Sequence, residues 1–245
     1  MRRAMTLLKS LLPPKLSYQL RVRKALLVDE DLKALQKLAK EVGSKQLVAL
    51  DVGANAGIYA AVLSRFFGQV VCFEPNPECI LYLKKVLPRN CILVEGAVSN
   101  ESGVAHLSIP FLNKVLETTR GTISTRNNFE VASEGIREIT VKKYRLDDIL
   151  SEIKSRITGR IGLLKIDVEG HEFEVMQGAP GLLATHRPVI IAELEERHGT
   201  PVNDVLRYLS SSGYKPTQKQ NTTPDGRASL NHEDAVNHIF YPAQQ

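Results

Sequence analysis

The sequence predicts an α/β fold of the Rossmann-like kind, with a central, mostly parallel sheet, helices on both faces and an antiparallel pair of strands at the carboxyl terminus. Three observations predict it. From residue 46 onward, short apolar runs alternate with helical stretches, the pattern of βαβ units. A glycine-containing loop follows the first apolar run. The length of 245 residues suits one large domain with a short appendage.

The amino-terminal part is predicted to be a helical extension, residues 1–43, that precedes a domain of residues 44–245. Residues 1–28 carry seven basic and no acidic side chains, whereas the rest carry 25 basic and 27 acidic ones. A short basic amphipathic helix can lie on an anionic membrane surface, and no run is long enough to span a bilayer. Because the domain itself is slightly acidic, a nucleic-acid substrate is not expected.

The cysteines favour a reducing compartment. Cys72, Cys79 and Cys91 show no C-x-x-C spacing, and an odd number does not form a disulfide framework. We therefore expect a cytoplasmic protein with a possible peripheral contact to the inner face of a membrane.

The periodicity of the first half predicts a helix near residues 29–41 and then a regular alternation of strands and helices. The predicted elements are strand 47–52, helix 58–67, strand 70–73, a helix from Pro77 to Leu87 and strand 91–95.

The second half begins with a different pattern, which predicts a β-rich insertion over about residues 99–145. Alternation at residues 104–109 and 139–141 surrounds a polar stretch there. The pattern then returns to α/β, with helix 146–154, strand 161–166, helix 172–178, strand 189–192, helix 202–209, a strand near Tyr214 and strand 236–241.

The first motif is the loop Asp51-Val-Gly-Ala-Asn-Ala-Gly57 at the carboxyl end of the first strand. Open α/β sheets bind ligands at this edge. Gly53 permits a tight turn, Gly57 permits close approach of the next helix, and the backbone around Ala54 and Asn55 can lie against a ligand. Asp51 can accept hydrogen bonds from a ligand's amino group.

The second motif is Glu74-Pro-Asn-Pro at the end of the next strand. An acid in this position can accept hydrogen bonds from both ribose hydroxyls of an adenosine, and Asn76 can add a polar contact. Since neither G-x-G-x-x-G nor a lysine-bearing phosphate loop is present, the glycine pattern favours a sulfonium cofactor over a dinucleotide or a nucleoside triphosphate.

The third motif is Asp167-Val-Glu-Gly-His-Glu172, in which an apolar strand runs into acids and a histidine. Asp167 and Glu169 share one face if the strand continues, and His171 stands at a helix start. Either Asp167 or His171 can take a proton from a hydroxyl. The alternative is that Asp167 orients a cofactor while Glu169 and His171 only cap the helix.

A divalent-metal site is a further alternative at the same edge. Carboxylates such as Asp167, Glu169 and Glu193 suit magnesium, although acids at strand ends are commonly solvated. The other histidines lack ligand spacing and are expected to be structural or exposed: His106, His186, His198, His232 and His238.

Together these motifs resemble the FkbM family of methyltransferases, over approximately residues 47–195. Arg187-Pro-Val-Ile-Ile-Ala-Glu193 is similar to the family's closing strand. The resemblance implies a class I methyltransferase fold, S-adenosylmethionine bound at residues 51–57 and Glu74, and methylation of an oxygen, often on a sugar, glycan or natural product. It does not imply which acceptor is used.

Two other functions remain open, a nicotinamide-dependent oxidoreductase and a catalytically silent cofactor-binding module. Within the insertion, hydroxyl-bearing and basic side chains can contact a polyhydroxylated acceptor, although a loop of solvated hydroxyls is the favoured explanation: Thr118, Thr119, Arg120 and Thr122.

Overall fold

The computed structural model describes residues 12–112, 115–116, 121–124, 135–216 and 237–243. The helices are α1 Pro14–Val28, α2 Glu30–Val42, α3 Ile58–Phe66, α4 Pro77–Val86, α5 Leu146–Glu152, α6 Glu172–Gln177, α7 Pro180–Thr185 and α8 Val202–Ser211. The strands are β1 Leu47–Val52, β2 Gln69–Glu74, β3 Cys91–Glu95, β4 Ala97–Ser99, β5 Gly103–Leu112, β6 Val115–Leu116, β7 Ile136–Arg145, β8 Arg160–Ile166, β9 Val189–Glu193, β10 Tyr214–Pro216 and β11 Asn237–Pro242.

The larger sheet has seven strands in the order β10-β11-β9-β8-β1-β2-β3. β1 pairs in parallel with β2 and β8, and β11 pairs antiparallel with β9 and β10. The predicted mostly parallel sheet with an antiparallel carboxyl-terminal pair is confirmed. Because the chain leaves β1 toward β3 and returns on the other side at β8, the strand order reverses beside β1, where such sheets bind ligands.

Side chains that alternate along β1 enter hydrophobic clusters on opposite faces of this sheet. Leu50 packs in the cluster that includes Leu164 and Met176, whereas Ala49 packs in the one that includes Leu63 and Leu35. Both faces of the sheet are therefore covered by helices, as the sequence predicts.

The two amino-terminal helices belong to the second of these clusters. Tyr18 and Val22 of α1 are buried in it, and the Asp29 carboxylate caps α2 by accepting a hydrogen bond from the Leu32 amide at 2.9 Å. The apolar residues of α1 lie on two opposite faces of the helix. Only one of these faces packs against the domain. No helix in the described ranges is both long and apolar enough to cross a membrane.

The predicted insertion forms a second sheet, in the order β4-β7-β5-β6. It starts at Ala97, two residues before the predicted boundary, because Ala97–Ser99 pairs in parallel with β7. Strand β4 and helix α7 are absent from the sequence-based prediction, and the three residues of β4 are too few to display a period. The polar middle of the insertion lies largely outside the described residues.

Candidate functional site

A cleft opens at the carboxyl ends of β1, β2, β8 and β9. Ligands of open α/β sheets bind at this edge. The insertion covers one side of the cleft through Leu107, Gly121, Thr122 and Ile123. The other lining residues are Val52, Gly53, Asn55, Phe73, Glu74, Pro75, Asn76, Gly96, Ala97, Val98, Asp167, Val168, Glu169 and Glu193.

The loop after β1 is fixed to β2 by its own backbone. The amides of Gly53 and Ala54 donate to the Phe73 carbonyl at 3.1 and 3.0 Å, and the Asn55 amide donates to Glu74 Oε2 at 2.7 Å. Gly53 has a φ of +82°, and a Cβ there would lie 1.9 Å from the Asp167 carbonyl oxygen. Only glycine therefore allows the loop to lie this close to the end of β8.

Glu74 and Asn76 form one end of the cleft. Glu74 Oε1 accepts from the Asn76 amide at 2.8 Å, and burial raises the pKa of Glu74 to about 7 although its amide hydrogen bonds oppose the rise. Asn76 Oδ1 caps α4 by accepting from the Glu78 amide at 3.0 Å. Among the described residues its buried Nδ2 has no hydrogen-bond partner. A buried unpaired donor beside a carboxylate fits the acceptor nitrogens and the ribose hydroxyls of a nucleoside.

Asp51 lies behind this loop, completely buried, in an ion pair with Lys165. Lys165 Nζ lies 3.1 Å from Asp51 Oδ1, 3.4 Å from Asp167 Oδ2 and 2.9 Å from the Gly53 carbonyl oxygen. Burial alone would lower the pKa of Lys165 and raise that of Asp51, but the carboxylates hold the pKa of Lys165 above its ordinary value. Since the ammonium is surrounded by oxygens, we treat the pair as ionic.

The segment after β8 is held by Glu172, which is almost completely buried. Its Oε1 accepts from the Val168 and Gly170 amides at 3.2 and 3.1 Å, and its Oε2 accepts from Thr200 Oγ1 at 2.6 Å. Gly170 has a φ of +97°, and a Cβ there would lie 2.0 Å from the His198 carbonyl oxygen. The hydrogen bonds of Glu172 and the close approach at Gly170 thus hold the turn that presents Asp167 and Glu169 to the cleft.

Three carboxylates, Asp167, Glu169 and Glu193, line the other end of the cleft. Burial raises the pKa of Glu193 to about 9, and the charges of Asp167, Glu195 and Glu169 add to the rise. At neutral pH Glu193 therefore holds a proton. Within the described residues, no group of three His, Cys, Asp or Glu side chains is arranged to hold a metal ion, so the metal alternative gains no support.

His171 lies outside this lining, next to the insertion. Its Nε2 is 2.9 Å from Ser99 Oγ, and its Nδ1 is 3.6 Å from Glu174 Oε2. Because Ser99 follows Val98, a lining residue, His171 connects the segment after β8 to the strand that forms another wall of the cleft.

The structure brings most of the predicted site residues to one cleft. Gly53, Asn55, Glu74, Asn76, Asp167, Glu169, Glu193 and Thr122 line it. Asp51, Ala54, Gly57 and His171 lie behind the lining, and Gly57 instead accepts a hydrogen bond from the Tyr18 hydroxyl through its carbonyl. Three of the predicted acceptor contacts, Thr118, Thr119 and Arg120, and also His232, fall outside the described residues.

Several residues that build the site were missed from the sequence. Lys165 was detectable, since it is a lone charge in the apolar strand Leu163-Leu164-Lys165-Ile166. Thr200 and His198 gave no signal, because their contacts join segments far apart in the chain. His198 Nδ1 lies 3.2 Å from Oε2 of both Glu169 and Glu195.

Comparisons with known proteins agree with this geometry. The family described as "Methyltransferase FkbM domain" matches residues 51–216. Hexuronic acid methyltransferase AglP from Haloferax volcanii is 28% identical over 179 residues, which cover 72% of this chain and 66% of AglP. Methyltransferase sdnD from Sordaria araneosa is 28% identical over 152 residues, 53% of this chain and 59% of that protein. The chain therefore spans less than two thirds of the length of these relatives.

Solved structures show the same fold. The crystal structure of the FkbM methyltransferase from Methylobacillus flagellatus aligns with a TM-score of 0.52 and 17% identity over 81% of this chain and 44% of that one. An O-methyltransferase from Bacillus cereus aligns with a TM-score of 0.50 and 14% identity over 98% and 96% of the two chains. The predicted class I methyltransferase fold is confirmed, and the chain belongs to the FkbM family of methyltransferases.

Proposed function

We propose that the protein is an S-adenosylmethionine-dependent O-methyltransferase that acts on a hydroxyl of a sugar, glycan or natural-product acceptor. The observation that carries this proposal is the division of one cleft into a nucleoside end, at Glu74 and Asn76, and a carboxylate end, at Asp167 and Glu193. Two relatives support it by name. AglP is a hexuronic acid methyltransferase, and the Bacillus cereus O-methyltransferase was crystallised with S-adenosylhomocysteine.

The residues of the nucleoside end fit this cofactor. Glu74 retains one lone pair on each carboxylate oxygen for the ribose hydroxyls, and Asn76 Nδ2 is the unpaired buried donor for the adenine. When bound, the cofactor supplies an electrophilic methyl group on a sulfonium. The chain itself aligns the reactants and excludes water, with Leu107 and Ile123 of the insertion over the cleft.

Asp167 is the proposed base. It lines the cleft at the end of β8, where its carboxylate can accept the proton of an acceptor hydroxyl, and Lys165 holds it from behind. His171 is proposed to position the wall through Ser99 instead. Glu193 keeps its proton at neutral pH because of its raised pKa, so it donates a hydrogen bond to the acceptor rather than accepting a proton.

The charge of the cleft favours an uncharged acceptor hydroxyl. Four carboxyl groups, Glu74, Asp167, Glu169 and Glu193, line it, and among its described lining residues there is no lysine or arginine. A carboxylate on the acceptor would meet like charges at the carboxylate end. We therefore propose a neutral sugar or natural product, in contrast to the hexuronic acid in the name of AglP.

Cofactor binding is tested by titration calorimetry with S-adenosylmethionine, S-adenosylhomocysteine and NAD. We expect the first two to bind, and Glu74→Gln to weaken both. Glu95→Gln is the matched control, because Glu95 lies opposite Glu74 in the β2–β3 pairing but is exposed. Binding of NAD without binding of S-adenosylmethionine would instead support the oxidoreductase alternative.

The chemistry is tested by incubating cell extract with the protein and labelled S-adenosylmethionine and identifying the methylated product. With that acceptor, Asp167→Asn is expected to lower kcat by about 100-fold or more with little change in cofactor affinity. His171→Gln should retain more activity than Asp167→Asn. If Asp167→Asn retained more activity than His171→Gln, His171 would be the base. Cofactor binding without any labelled product would support the catalytically silent binding module instead.

A further inference from the structure

The exposed face of α1 carries a row of leucines. Leu16, Leu20 and Leu27 are 43%, 46% and 76% exposed, and their spacing places them along one side of the helix. Tyr18 and Val22, on the opposite side, are buried. A single exposed leucine needs no explanation, but three on one face of one helix form an apolar strip in contact with water. We call these three residues the leucine strip.

The charges on α1 itself are all positive, and the acidic residues Asp29, Glu30 and Asp31 follow its end. Lys15, Arg21, Arg23 and Lys24 are exposed, and no acidic residue occurs between Pro14 and Val28. Within the described part of the chain none of the four forms an ion pair with a carboxylate. Arg21 instead lies over the Tyr82 ring, 5.6 Å from its centroid.

We propose that the leucine strip and the basic side chains of α1 form a docking surface for an anionic lipid bilayer. Leucines flanked by lysine and arginine are typical of helices that lie in the membrane interface, with the apolar side chains at the acyl boundary and the cations at the lipid phosphates. A nucleic acid would use the positive charges but would leave the leucines exposed. The surface is independent of the proposed reaction, because none of its residues lines the cleft.

Sedimentation of the full chain with vesicles tests this surface. We expect binding to phosphatidylcholine vesicles that contain phosphatidylglycerol and little binding to phosphatidylcholine alone. The triple variant Leu16→Gln/Leu20→Gln/Leu27→Gln, which preserves helix propensity, should bind the anionic vesicles at least about ten-fold more weakly. Lys15→Gln/Arg23→Gln/Lys24→Gln should also weaken binding, and added salt should do so for the unaltered chain.

Val104→Thr/Ile136→Thr is the control, because these residues are 70% and 50% exposed but lie in the insertion. Circular dichroism checks that each variant is folded. Unchanged vesicle binding by the leucine variant, or no binding of the unaltered chain to anionic vesicles, would overturn the proposal. Equal binding of a DNA duplex to the unaltered chain and the leucine variant, without vesicle binding, would identify the surface as a polyanion site instead.

Discussion

A single carboxyl group, that of Glu74, should make ligand binding at the nucleoside end of the cleft depend on pH. It is buried with both oxygens accepting backbone amides, and burial raises its pKa to about 7. Hydroxyl donors of a ribose favour the ionised carboxylate, because it offers only acceptors. Protonation and cofactor binding therefore compete at this residue.

We expect the Kd for S-adenosylmethionine to fall as pH rises through about 7 and to level off once Glu74 is fully ionised. The change between pH 6 and pH 8 should be up to about ten-fold, and Glu74→Gln should show weaker binding with a flatter profile. Calorimetry across this range measures it. An unaltered pH profile in Glu74→Gln would assign the titration to another group.

Lys165 is the residue whose loss should cost the most stability. Its ammonium is buried against Asp51 and Asp167, and it lies 4.8 Å from the centroid of the Tyr59 ring. Lys165→Met would leave the Asp51 carboxylate buried without its counter-ion. We expect the free energy of unfolding to fall by about 3–5 kcal/mol in urea denaturation.

The exposed Lys142→Met in β7 serves as the control for this loss, with a change within about 0.5 kcal/mol. The double variant Asp51→Asn/Lys165→Met should recover part of the stability, since it removes the uncompensated charge. A loss as large in the double variant as in Lys165→Met would mean that the lysine acts through packing and not through its charge.

Single residues also show where sequence-based prediction ends. Glu74, Asp167 and Glu169 were predictable, because each follows an apolar strand and such strands end at one edge of a parallel sheet. The position of Asp51 behind the loop was not predictable, because the alternation of a strand does not show which of its two faces points toward the ligand. Contacts such as Thr200 with Glu172 depend on tertiary packing alone.

At the scale of elements, a hydrogen bond joins α1 to the loop after β1. The Tyr18 hydroxyl donates to the Gly57 carbonyl at the start of α3, and its ring packs edge-on against Tyr82 with the centroids 6.3 Å apart. The amino-terminal helix is therefore part of the support for the loop that ends in Gly57. A helix predicted as an extension is packed against the domain core in the structure.

Tyr18→Phe keeps the buried ring and removes only this hydrogen bond. We expect a loss of about 1 kcal/mol in unfolding free energy and a weaker affinity for S-adenosylmethionine, because the loop loses a fixed contact. The control is Tyr82→Phe, whose hydroxyl accepts a single exposed hydrogen bond from Arg21 at 3.4 Å. Equal affinities of Tyr18→Phe and the unaltered chain would show that the loop does not depend on α1.

Outside the insertion, the element boundaries were predictable to within one or two residues, whereas those of β5 and β7 differ from the prediction by up to four residues. The predicted strand 91–95 matches β3, and predicted helix 202–209 ends two residues short of α8. The four-stranded sheet of the insertion was predicted only as β-rich, because its strands pair across distant parts of the sequence, 40 residues for Gly103 with Lys143. Pairing at that distance depends on packing rather than on local sequence.

At the scale of the whole molecule, the sheet concentrates acidic groups at one edge. The carboxyl ends of four strands meet there. Burial raises the pKa values of Glu74, Glu172 and Glu193, and the neighbouring carboxylates add to the rise for Glu193. The fold class was predictable from alternation, whereas this convergence required the strand order. The carboxyl groups of the site therefore make the free energy of unfolding depend on pH.

The sign of that dependence follows from the direction of the shifts. A carboxyl group ionises near pH 4.5 in the unfolded chain, whereas Glu193 keeps its proton in the folded chain up to about pH 9. Between these values the folded state binds the extra proton, so the free energy of unfolding falls as pH rises, by at most about 1.4 kcal/mol per pH unit for one group. Glu74 contributes in the same direction up to about pH 7.

We therefore expect the protein to be less stable at pH 9 than at pH 6 in urea denaturation, and Glu193→Gln to reduce this difference. Glutamine reproduces the protonated carboxyl group in shape and cannot ionise, so the variant should gain stability over the unaltered chain above neutral pH. Glu138→Gln, at an exposed position of β7, is the control and should leave the slope unchanged. If the Glu193→Gln and unaltered chains lost stability in parallel between pH 6 and pH 9, the raised pKa of Glu193 would not be the cause, and its role as a proton-bearing donor to the acceptor would fall with it.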